Sequence, residues 1–342
     1  MQLPKGCLYC KEGAKMVLVV TGICDTGCFY CPISPGKKDK DVIFANERRV
    51  SNLSEILEEA EAMDALGTGI TGGDPLMVMD RTVEAIKMLK DHFGKDHHIH
   101  LYTSSIDVEK VHVLAEAGLD EIRFHPPLRE WEGFDNTELA KIVSIKTLDV
   151  GIEVPAIPGH EKGLEHLILS AVNAGVDFVN INEFEFSESN WNMMEERGYV
   201  IKDELSSSIS GSEEIAKTLM KKYRKYPIHF CSSTFKDSVQ LRNRLLRRAN
   251  NIAKEYEVIT EDGTLIKGII YTDDLDGTVR YLAENFQVPM SLMSADPERG
   301  RVDIAPWILE KISKELKFKC YIIEEYSTSD RMEVERTPLN KG

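Results

Sequence analysis

The sequence lacks any long apolar run, and none approaches the roughly 20 residues that a membrane-spanning helix needs. Its first ten residues, MQLPKGCLYC, lack the charged-then-apolar order of a secretory signal. Positive charge is also scarce, because 42 Lys and Arg residues stand against 57 Asp and Glu residues, a net charge of −15. We therefore expect a cytoplasmic protein without a membrane partner, whose average charge disfavours nucleic acid.

Cysteine is infrequent and odd in number. The chain of 342 residues holds seven cysteines, of which five lie within the first 31 residues. An odd, clustered set argues against a disulfide framework and favours metal binding in a reducing compartment. The length and the hydrophobic content of 42% allow one large α/β barrel, alone or with a small appended domain.

Three of these cysteines, Cys24, Cys28 and Cys31, are spaced C-x3-C-x2-C directly after an apolar run, residues 16–21, that predicts a buried strand. Three thiolates can hold three irons of a [4Fe–4S] cluster and leave the fourth iron open to a reactant. The alternative is structural zinc, but such sites have four ligands and no Cys or His follows Cys31 at a short spacing.

This motif, with the aromatic Tyr30 just before its last cysteine, resembles the signature of the radical S-adenosylmethionine (radical SAM) superfamily. A second motif agrees with it. Gly72, Gly73, Asp74 and Pro75 are similar to the Gly-Gly-Glu-Pro segment of that superfamily, with Asp in place of Glu. The resemblance is closest to enzymes related to pyruvate formate-lyase activating enzymes, archaeal members included.

Apolar runs alternate with helical patterns up to about residue 232. Strands are predicted at residues 16–22, 68–72, 98–104, 121–125, 150–155, 177–184 and 228–232. Helices are predicted at residues 52–66, 79–92, 107–117, 136–147, 162–174 and 212–225, with Gly67, Gly94, Gly118 and Gly175 just past helix ends. Such alternation predicts a parallel sheet, whose functional residues lie at the carboxyl ends of the strands.

The predicted fold class is α/β. By resemblance it is a partial (β/α)6 radical SAM-type barrel with a small C-terminal α+β appendage. The predicted domains are a strap at 1–15, the barrel at 16–235, a basic linking helix at 236–255 and the appendage at 256–342. The appendage should open with a hairpin turning at Asp262 and Gly263, and residues 327–342 should form a frayed tail.

The resemblance also implies a set of cofactor-binding residues. In the superfamily, the segment equivalent to residues 72–75 contacts the methionine amino group of S-adenosylmethionine (SAM), mainly through its backbone. Hydroxyls after the third strand, such as Ser104, would lie near the ribose, and Arg123 would bind the methionyl carboxylate. The full predicted set is Tyr30, Gly72, Gly73, Asp74, Pro75, Ser104, Arg123, Glu153 and Ile157, the last two in a segment that would line the adenine.

A second cysteine pair, Cys7 and Cys10, has the C-x2-C spacing of half a zinc or iron–sulfur site. Cys231 is the favoured further ligand, ahead of Cys320. Parallel strands would put Cys10 and Cys231 at opposite ends of the sheet, so the site requires that the N-terminal segment fold back along the barrel. The alternative interpretation is that these thiols are packed as small buried side chains.

Two further stretches have a functional interpretation. Residues 187–211 form a polar, Ser-rich connection long enough to be a lid, in which Trp191, Met193 and Met194 cover a substrate or pack on the rim. Residues 215–250 carry ten basic residues and one acid. Within them, Arg244, Arg247 and Arg248 are predicted to share a polar helix face that binds RNA phosphates or is only solvated.

We therefore predict a radical SAM enzyme that cleaves SAM reductively and uses the 5′-deoxyadenosyl radical to abstract hydrogen. Its expected partner is an electron donor of the flavodoxin or ferredoxin type. Three substrate classes remain open: the glycine loop of a partner enzyme, RNA, and a peptide or small molecule. The remaining alternative is a metal-binding scaffold without activity.

Overall fold

The computed structural model describes residues 3–204 and 206–340, and the chain divides into two units. The first unit comprises residues 1–61 and 65–241, and the second comprises residues 62–64 and 242–342. The predicted N-terminal strap is therefore part of the first unit, and the predicted linking helix is divided between the two units.

Nine strands of the first unit form one sheet. They are β1 (Lys15–Thr21), β2 (Ile43–Ala45), β3 (Arg48–Val50), β4 (Gly67–Gly72), β5 (His98–Thr103), β6 (Glu121–Phe124), β7 (Asp149–Ala156), β8 (Phe178–Glu183) and β9 (Ile228–Cys231). Their order is β3-β2-β1-β4-β5-β6-β7-β8-β9. β1 and β4 to β9 run parallel and are the seven predicted strands, whereas the antiparallel β2–β3 hairpin beside β1 was not predicted.

Helices connect the parallel strands, as predicted. They are α1 (Lys5–Lys11), α2 (Ser54–Ala62), α3 (Met79–Phe93), α4 (Val108–Ala117), α5 (Thr137–Val143), α6 (Glu161–Ala174), α7 (Trp191–Glu195), α8 (Ser212–Lys222) and α9 (Ser233–Phe235), with 3₁₀ turns at Pro75–Val78 and Leu128–Gly133 and a π-helical turn at Lys236–Leu241. The fold is thus an open, partial (β/α) barrel in which β9 adds a seventh parallel strand.

Glycine ends two of these helices in the predicted way. Gly118 and Gly175 follow α4 and α6 with φ angles of 109° and 91°, in the left-handed region that favours glycine. The same prediction is wrong for Gly67, which begins β4. Because α2 ends earlier than predicted, Asp64 is the residue with a positive φ, at 50°.

The two faces of the parallel sheet differ in polarity. One face carries fully buried aliphatic side chains: Leu101, Ile122, Ile152 and Ile181. The other carries buried polar side chains on the alternating positions: His100, Arg123, Glu153 and Asn180. Alternation along a strand separates these faces, so the apolar face packs on the helices and the polar face lines the barrel lumen.

The second unit is an antiparallel sheet with helices. Its strands are β10 (Val258–Ile259), β11 (Thr264–Tyr271), β12 (Met293–Asp296), β13 (Arg301–Ile304), β14 (Lys319–Tyr326) and β15 (Glu333–Pro338), and its helices are α10 (Arg242–Ile252), α11 (Leu275–Phe286) and α12 (Pro306–Ile312), with a 3₁₀ turn at Met290–Leu292. The strand order is β12-β13-β11-β14-β15, and β10 pairs with β11 in the predicted hairpin.

The prediction of a frayed C-terminal tail is wrong. β15 pairs with β14 over the register from Tyr321 and Pro338 to Glu325 and Glu333. Most of its side chains are exposed, so this edge strand has no alternating apolar pattern, and its backbone hydrogen bonds hold it in place.

The interior of the second unit combines an apolar core with a buried ion cluster. Ile270, Leu282, Val302 and their neighbours form the core. Elsewhere in this unit, the Lys267 ammonium lies 2.7 Å from Asp303 and 2.8 Å from Glu325, and all three side chains are nearly inaccessible. Removing one partner from such a cluster would leave a buried charge uncompensated.

Across the described residues, no helix has the length and apolar character needed to cross a membrane.

Candidate functional site

The cysteine loop, residues 22–34, leaves the carboxyl end of β1. Cys24, Cys28 and Cys31 are free, partly accessible thiols. The Cys31 amide donates to the Cys28 carbonyl at 3.2 Å, which closes a turn between two of the cysteines. Burial raises the pKa of the Cys31 thiol, whereas the Ile33 amide and Lys38 lower it. The loop therefore presents three thiols at the end of the barrel where the resemblance places the cluster.

The donor set fits an iron–sulfur cluster better than a single ion. Among residues 3–204 and 206–340, no three His, Cys, Asp or Glu side chains lie close enough together to hold one metal ion. The thiolates of a cluster each bind a different iron, so they stand further apart than the ligands of one ion. Thiolates are the usual protein ligands of such clusters.

The glycine pair after β4 is pressed against the start of the cysteine loop. The Gly73 amide donates to the Thr21 carbonyl and the Asp74 amide to the Ile23 carbonyl, both at 2.8 Å. A Cβ on Gly73 would lie 2.0 Å from the Ile23 carbonyl oxygen, a distance that no side chain tolerates. This close approach of the two backbones positions the loop above the strand end.

The Asp74 side chain joins the ends of β4 and β5. Its buried carboxylate accepts hydrogen bonds from the Thr103 hydroxyl at 2.8 Å, from the Ser104 amide at 3.1 Å and from the Ser104 hydroxyl at 2.6 Å. It also caps the turn at Pro75–Val78 by accepting from the Leu76 amide at 3.0 Å. The predicted residues Ser104 and Asp74 therefore lie together. The Asp74 carboxylate accepts hydrogen bonds from the loops after β4 and β5, a role that Asp can fill in place of the usual Glu.

Tyr30 connects the cysteine loop to the lumen. His125 Nδ1 donates to the Glu153 carbonyl at 2.8 Å, so His125 Nε2 accepts from the Tyr30 hydroxyl, which lies 3.1 Å away. Burial lowers the pKa of His125, consistent with the neutral ring that this arrangement requires. The aromatic residue before Cys31 thus fixes the loop by a partly buried hydrogen bond.

Arg123 has partners other than the predicted carboxylate of the cofactor. It is buried and lies 2.5 Å from Glu121 and 2.6 Å from Glu153. Burial would raise the pKa of Glu153, but Arg123 and hydrogen bonds from Asn182 and Asn180 outweigh it and lower that pKa to about 2. Two carboxylates already neutralise Arg123, so the structure favours a role for it within the lumen.

The segment predicted to line the adenine follows β7. Ile157 is fully buried, and its carbonyl accepts from the His160 amide at 3.1 Å. Its backbone lies at the same end of the sheet as the cysteine loop, because β1 and β7 are both parallel strands of that sheet.

A cleft of about 700 Å³ opens beside the cysteine loop. Its lining comes from the loops after β1, β4, β5 and β6 and includes Thr26, Asp74 and Ser104. A second cleft, of about 490 Å³, is lined partly by Cys28 and Tyr30. A hollow on the outside of α3 has a larger volume, about 790 Å³, but none of the predicted site residues lines it. The candidate site is therefore identified by its position beside the cysteine loop.

The predicted lid, residues 187–211, contacts the cysteine loop directly. Ser189 Oγ donates to the Cys31 carbonyl at 3.0 Å, and Asn190 Nδ2 donates to the Tyr30 carbonyl at 3.1 Å. Trp191 remains 42% exposed, whereas Met194 is fully buried. The roles of Ser189 and Asn190 were not predicted, because hydrogen bonds to backbone carbonyls leave no pairing pattern in the sequence.

The predicted arginine face is wrong for Arg248, which is buried and donates to the Ser327 carbonyl at 2.5 Å. Arg247 lies 2.5 Å from the Asp64 carboxylate. Arg244 also has a partner. These contacts lie within the second unit and explain much of the cluster without RNA.

The glycine contact predicts a strong effect of one methyl group. Gly73→Ala should push the cysteine loop away, cost about 1–3 kcal/mol of stability and reduce the iron bound after anaerobic reconstitution. Gly36→Ala is the matched control, because nothing lies within 4 Å of its added Cβ. Thermal unfolding and iron analysis compare the two variants, and equal results for both would contradict the proposed packing.

Comparisons with known proteins identify the family. The Radical SAM superfamily matches residues 18–126, and a domain of unknown function, DUF8061, matches residues 263–339. A relative from Methanocaldococcus jannaschii, named a putative glycyl-radical enzyme activating enzyme, is 43% identical over 357 residues, 99% of this chain and 93% of that protein.

Solved structures show more distant likeness. HydG, a maturase of the [FeFe]-hydrogenase, aligns with a TM-score of 0.44 and 15% identity over 71% of this chain and 65% of that chain. HemN, the coproporphyrinogen III oxidase of Escherichia coli, aligns with a TM-score of 0.40 and 11% identity over 64% of this chain and 55% of that chain. This chain thus spans less than two thirds of both.

Enzymes of the matched superfamily use a [4Fe–4S] cluster and SAM, and a loop of three thiols suits such a cluster. The identity over nearly the whole chain extends the match beyond the barrel. The chain belongs to the radical SAM superfamily and is a radical SAM enzyme.

Proposed function

We propose that this radical SAM enzyme activates a partner protein by removing a hydrogen atom from a glycine residue. The observation that carries this proposal is the 43% identity, over 99% of the chain, to a protein named a putative glycyl-radical enzyme activating enzyme. The exposed cleft beside the cysteine loop supports it, because a loop of another protein needs an open approach.

The cofactors supply the radical chemistry. With a cluster on Cys24, Cys28 and Cys31 and with SAM bound beside it, the cofactors would supply one electron for cleavage of SAM to methionine and a 5′-deoxyadenosyl group, which would leave as 5′-deoxyadenosine after accepting one hydrogen atom from glycine Cα. The protein contributes orientation and exclusion of water.

We assign the cluster to Cys24, Cys28 and Cys31. The backbone of residues 72–75 would bind the methionine amino group, and Ser104, held by Asp74, would lie toward the ribose. Tyr30 would fix the loop from below, and the backbone from Glu153 to Ile157 would line the adenine. The Arg123 and Glu153 side chains would stabilise the lumen beneath the cofactor.

We further propose that a flavodoxin or ferredoxin reduces the enzyme in the cytoplasm. The seven cysteines are all free thiols, as a reducing compartment would leave them. Lys37 and Lys38 follow the cluster cysteines closely, and the nearby Asp41 is paired with Arg81 at 2.5 Å. An acidic protein could approach the cluster on this side by charge attraction.

Arg247 and Arg248 are engaged in contacts within the protein and so do not support RNA as the substrate. RNA binding stays a prediction, and a filter-binding titration with total tRNA tests it.

The test of the proposed function detects the product radical. The reconstituted enzyme is incubated anaerobically with SAM, a flavodoxin reducing system and a glycyl-radical enzyme from the same organism. We expect the electron paramagnetic resonance (EPR) signal of a glycyl radical on the partner and one 5′-deoxyadenosine for each radical formed. The Cys28→Ala variant is the control and should give neither. SAM cleavage that total tRNA stimulates, without a radical on the protein partner, would contradict the proposal.

A further inference from the structure

The second set of cysteines meets inside the first unit. α1 is pressed against the sheet: the Gly6 amide donates to Glu121 Oε2 at 3.2 Å, and the Tyr9 ring lies edge-on to His98 at 6.1 Å. A Cβ on Gly6 would lie 2.6 Å from His100 Nδ1, so glycine permits this close approach. The N-terminal helix therefore packs against the amino-terminal parts of β5 and β6.

Cys7 and Cys231 reach the same polar lumen. Arg123 Nη2 lies 3.4 Å from Cys7 Sγ, and the same guanidinium contacts Glu153 at 2.6 Å. Asn182 donates to Glu153 at 3.0 Å and is the register partner of Cys231 on β9. Neighbours in register point to the same face of a sheet, so Cys231 also faces the lumen.

Cys10 completes the set. It lies three residues after Cys7 on α1, which puts both thiols on one face of the helix. α1 also contacts the π-helical turn Lys236–Leu241, which begins five residues after Cys231. Three thiols from two distant parts of the chain thus share one region of the lumen.

The surroundings of these thiols are polar. Arg123 donates to Cys7 Sγ, and Gln240 Nε2 lies 3.6 Å from Cys231 Sγ. Lys236, five residues after Cys231, is paired with Glu185 at 2.9 Å. Hydrogen bonds to sulfur stabilise metal-bound thiolates.

We propose that Cys7, Cys10 and Cys231 hold a second iron–sulfur cluster in the barrel lumen. A structural zinc ion takes four protein ligands, whereas this set supplies three thiols. Three thiolates on a cubane cluster would leave one iron without a cysteine ligand, facing the lumen and open to a small donor ligand.

The experiment isolates this site by removing the first one. The triple variant Cys24→Ala, Cys28→Ala, Cys31→Ala is reconstituted anaerobically with iron and sulfide. We expect it to retain about four irons and about four sulfides per chain, with the EPR signal of a reduced cluster after dithionite. Adding Cys7→Ala, Cys10→Ala and Cys231→Ala should remove both. Adding Cys320→Ala instead is the matched control and should change neither, because that buried thiol lies in the second unit against the Phe318 carbonyl.

Several results would overturn this proposal. They are a folded triple variant without iron, iron that persists after all six substitutions, or stoichiometric zinc in the triple variant as purified. The iron content of the reconstituted wild type tests the proposal without relying on the folding of a variant. About eight irons per chain would support two clusters, and about four would contradict the second cluster. The readout is metal and sulfide content, so failure of the proposed glycine substrate would not affect it.

Discussion

Replacing any one of Cys24, Cys28 and Cys31 by alanine is expected to abolish SAM cleavage. Two remaining thiolates would hold the cluster too weakly to position SAM. Replacing a residue that only hydrogen-bonds to a metal ligand already lowers metal affinity or activity by about 10–100-fold. We expect a loss of more than about 100-fold in the rate of 5′-deoxyadenosine formation, measured by chromatography after anaerobic reconstitution. The three thiols stand on one loop, so each substitution should have the same effect.

The control for this series is Cys320→Ala, which removes a thiol from the second unit. It should leave the rate within about twofold of the wild type. Wild-type cleavage by any of the three loop variants would show that the cluster has other ligands. A loss of activity in the Cys320 control as well would point to a general effect of cysteine removal.

Removing the Arg123 charge is expected to produce the largest loss of stability. In Arg123→Met, the buried Glu121 and Glu153 would lose their shared cation, and breaking a buried pair in this way costs about 3–5 kcal/mol. Lys141→Met is the control, because its ion pair with Glu138 is exposed and contributes below about 1 kcal/mol. Urea unfolding at pH 7 measures both.

The pH dependence of this loss has a definite sign. In the wild type the pKa of Glu153 is lowered to about 2, so its contribution is present above the unfolded pKa of about 4.3 and is lost as pH falls toward 2. Without Arg123, burial should raise that pKa, so the variant should become less stable as pH rises from 5 to 7. A destabilisation of Arg123→Met that is equal at pH 5 and pH 7 would contradict the buried ion pair.

Much of the barrel followed from the sequence because its strands are apolar runs of four or more residues between amphipathic helices. The β2–β3 hairpin did not, since three-residue strands are too short to carry a periodic pattern. β15 was missed because an exposed edge strand needs no apolar residues. In each case backbone pairing, which any side chain permits, determines the structure.

The candidate site was predictable where its chemistry requires particular residue types. Thiols at Cys24, Cys28 and Cys31 and the glycine at position 73 have no substitutes, so their spacing carried the prediction. The partners of Arg123 were not predicted: Glu153 is brought to it only by the pairing of β6 with β7, and Glu121 lies two residues before it on β6. The contacts of residues 187–211 with the loop involve backbone carbonyls and left no trace in the sequence.

The central claim is that the cysteine loop supports reductive cleavage of SAM. The most direct measurement incubates the anaerobically reconstituted wild-type enzyme with SAM and dithionite and quantifies 5′-deoxyadenosine and methionine. We expect both products to form in equal amounts and neither to form without reductant. An enzyme that carries its iron and sulfide but yields no 5′-deoxyadenosine would contradict it.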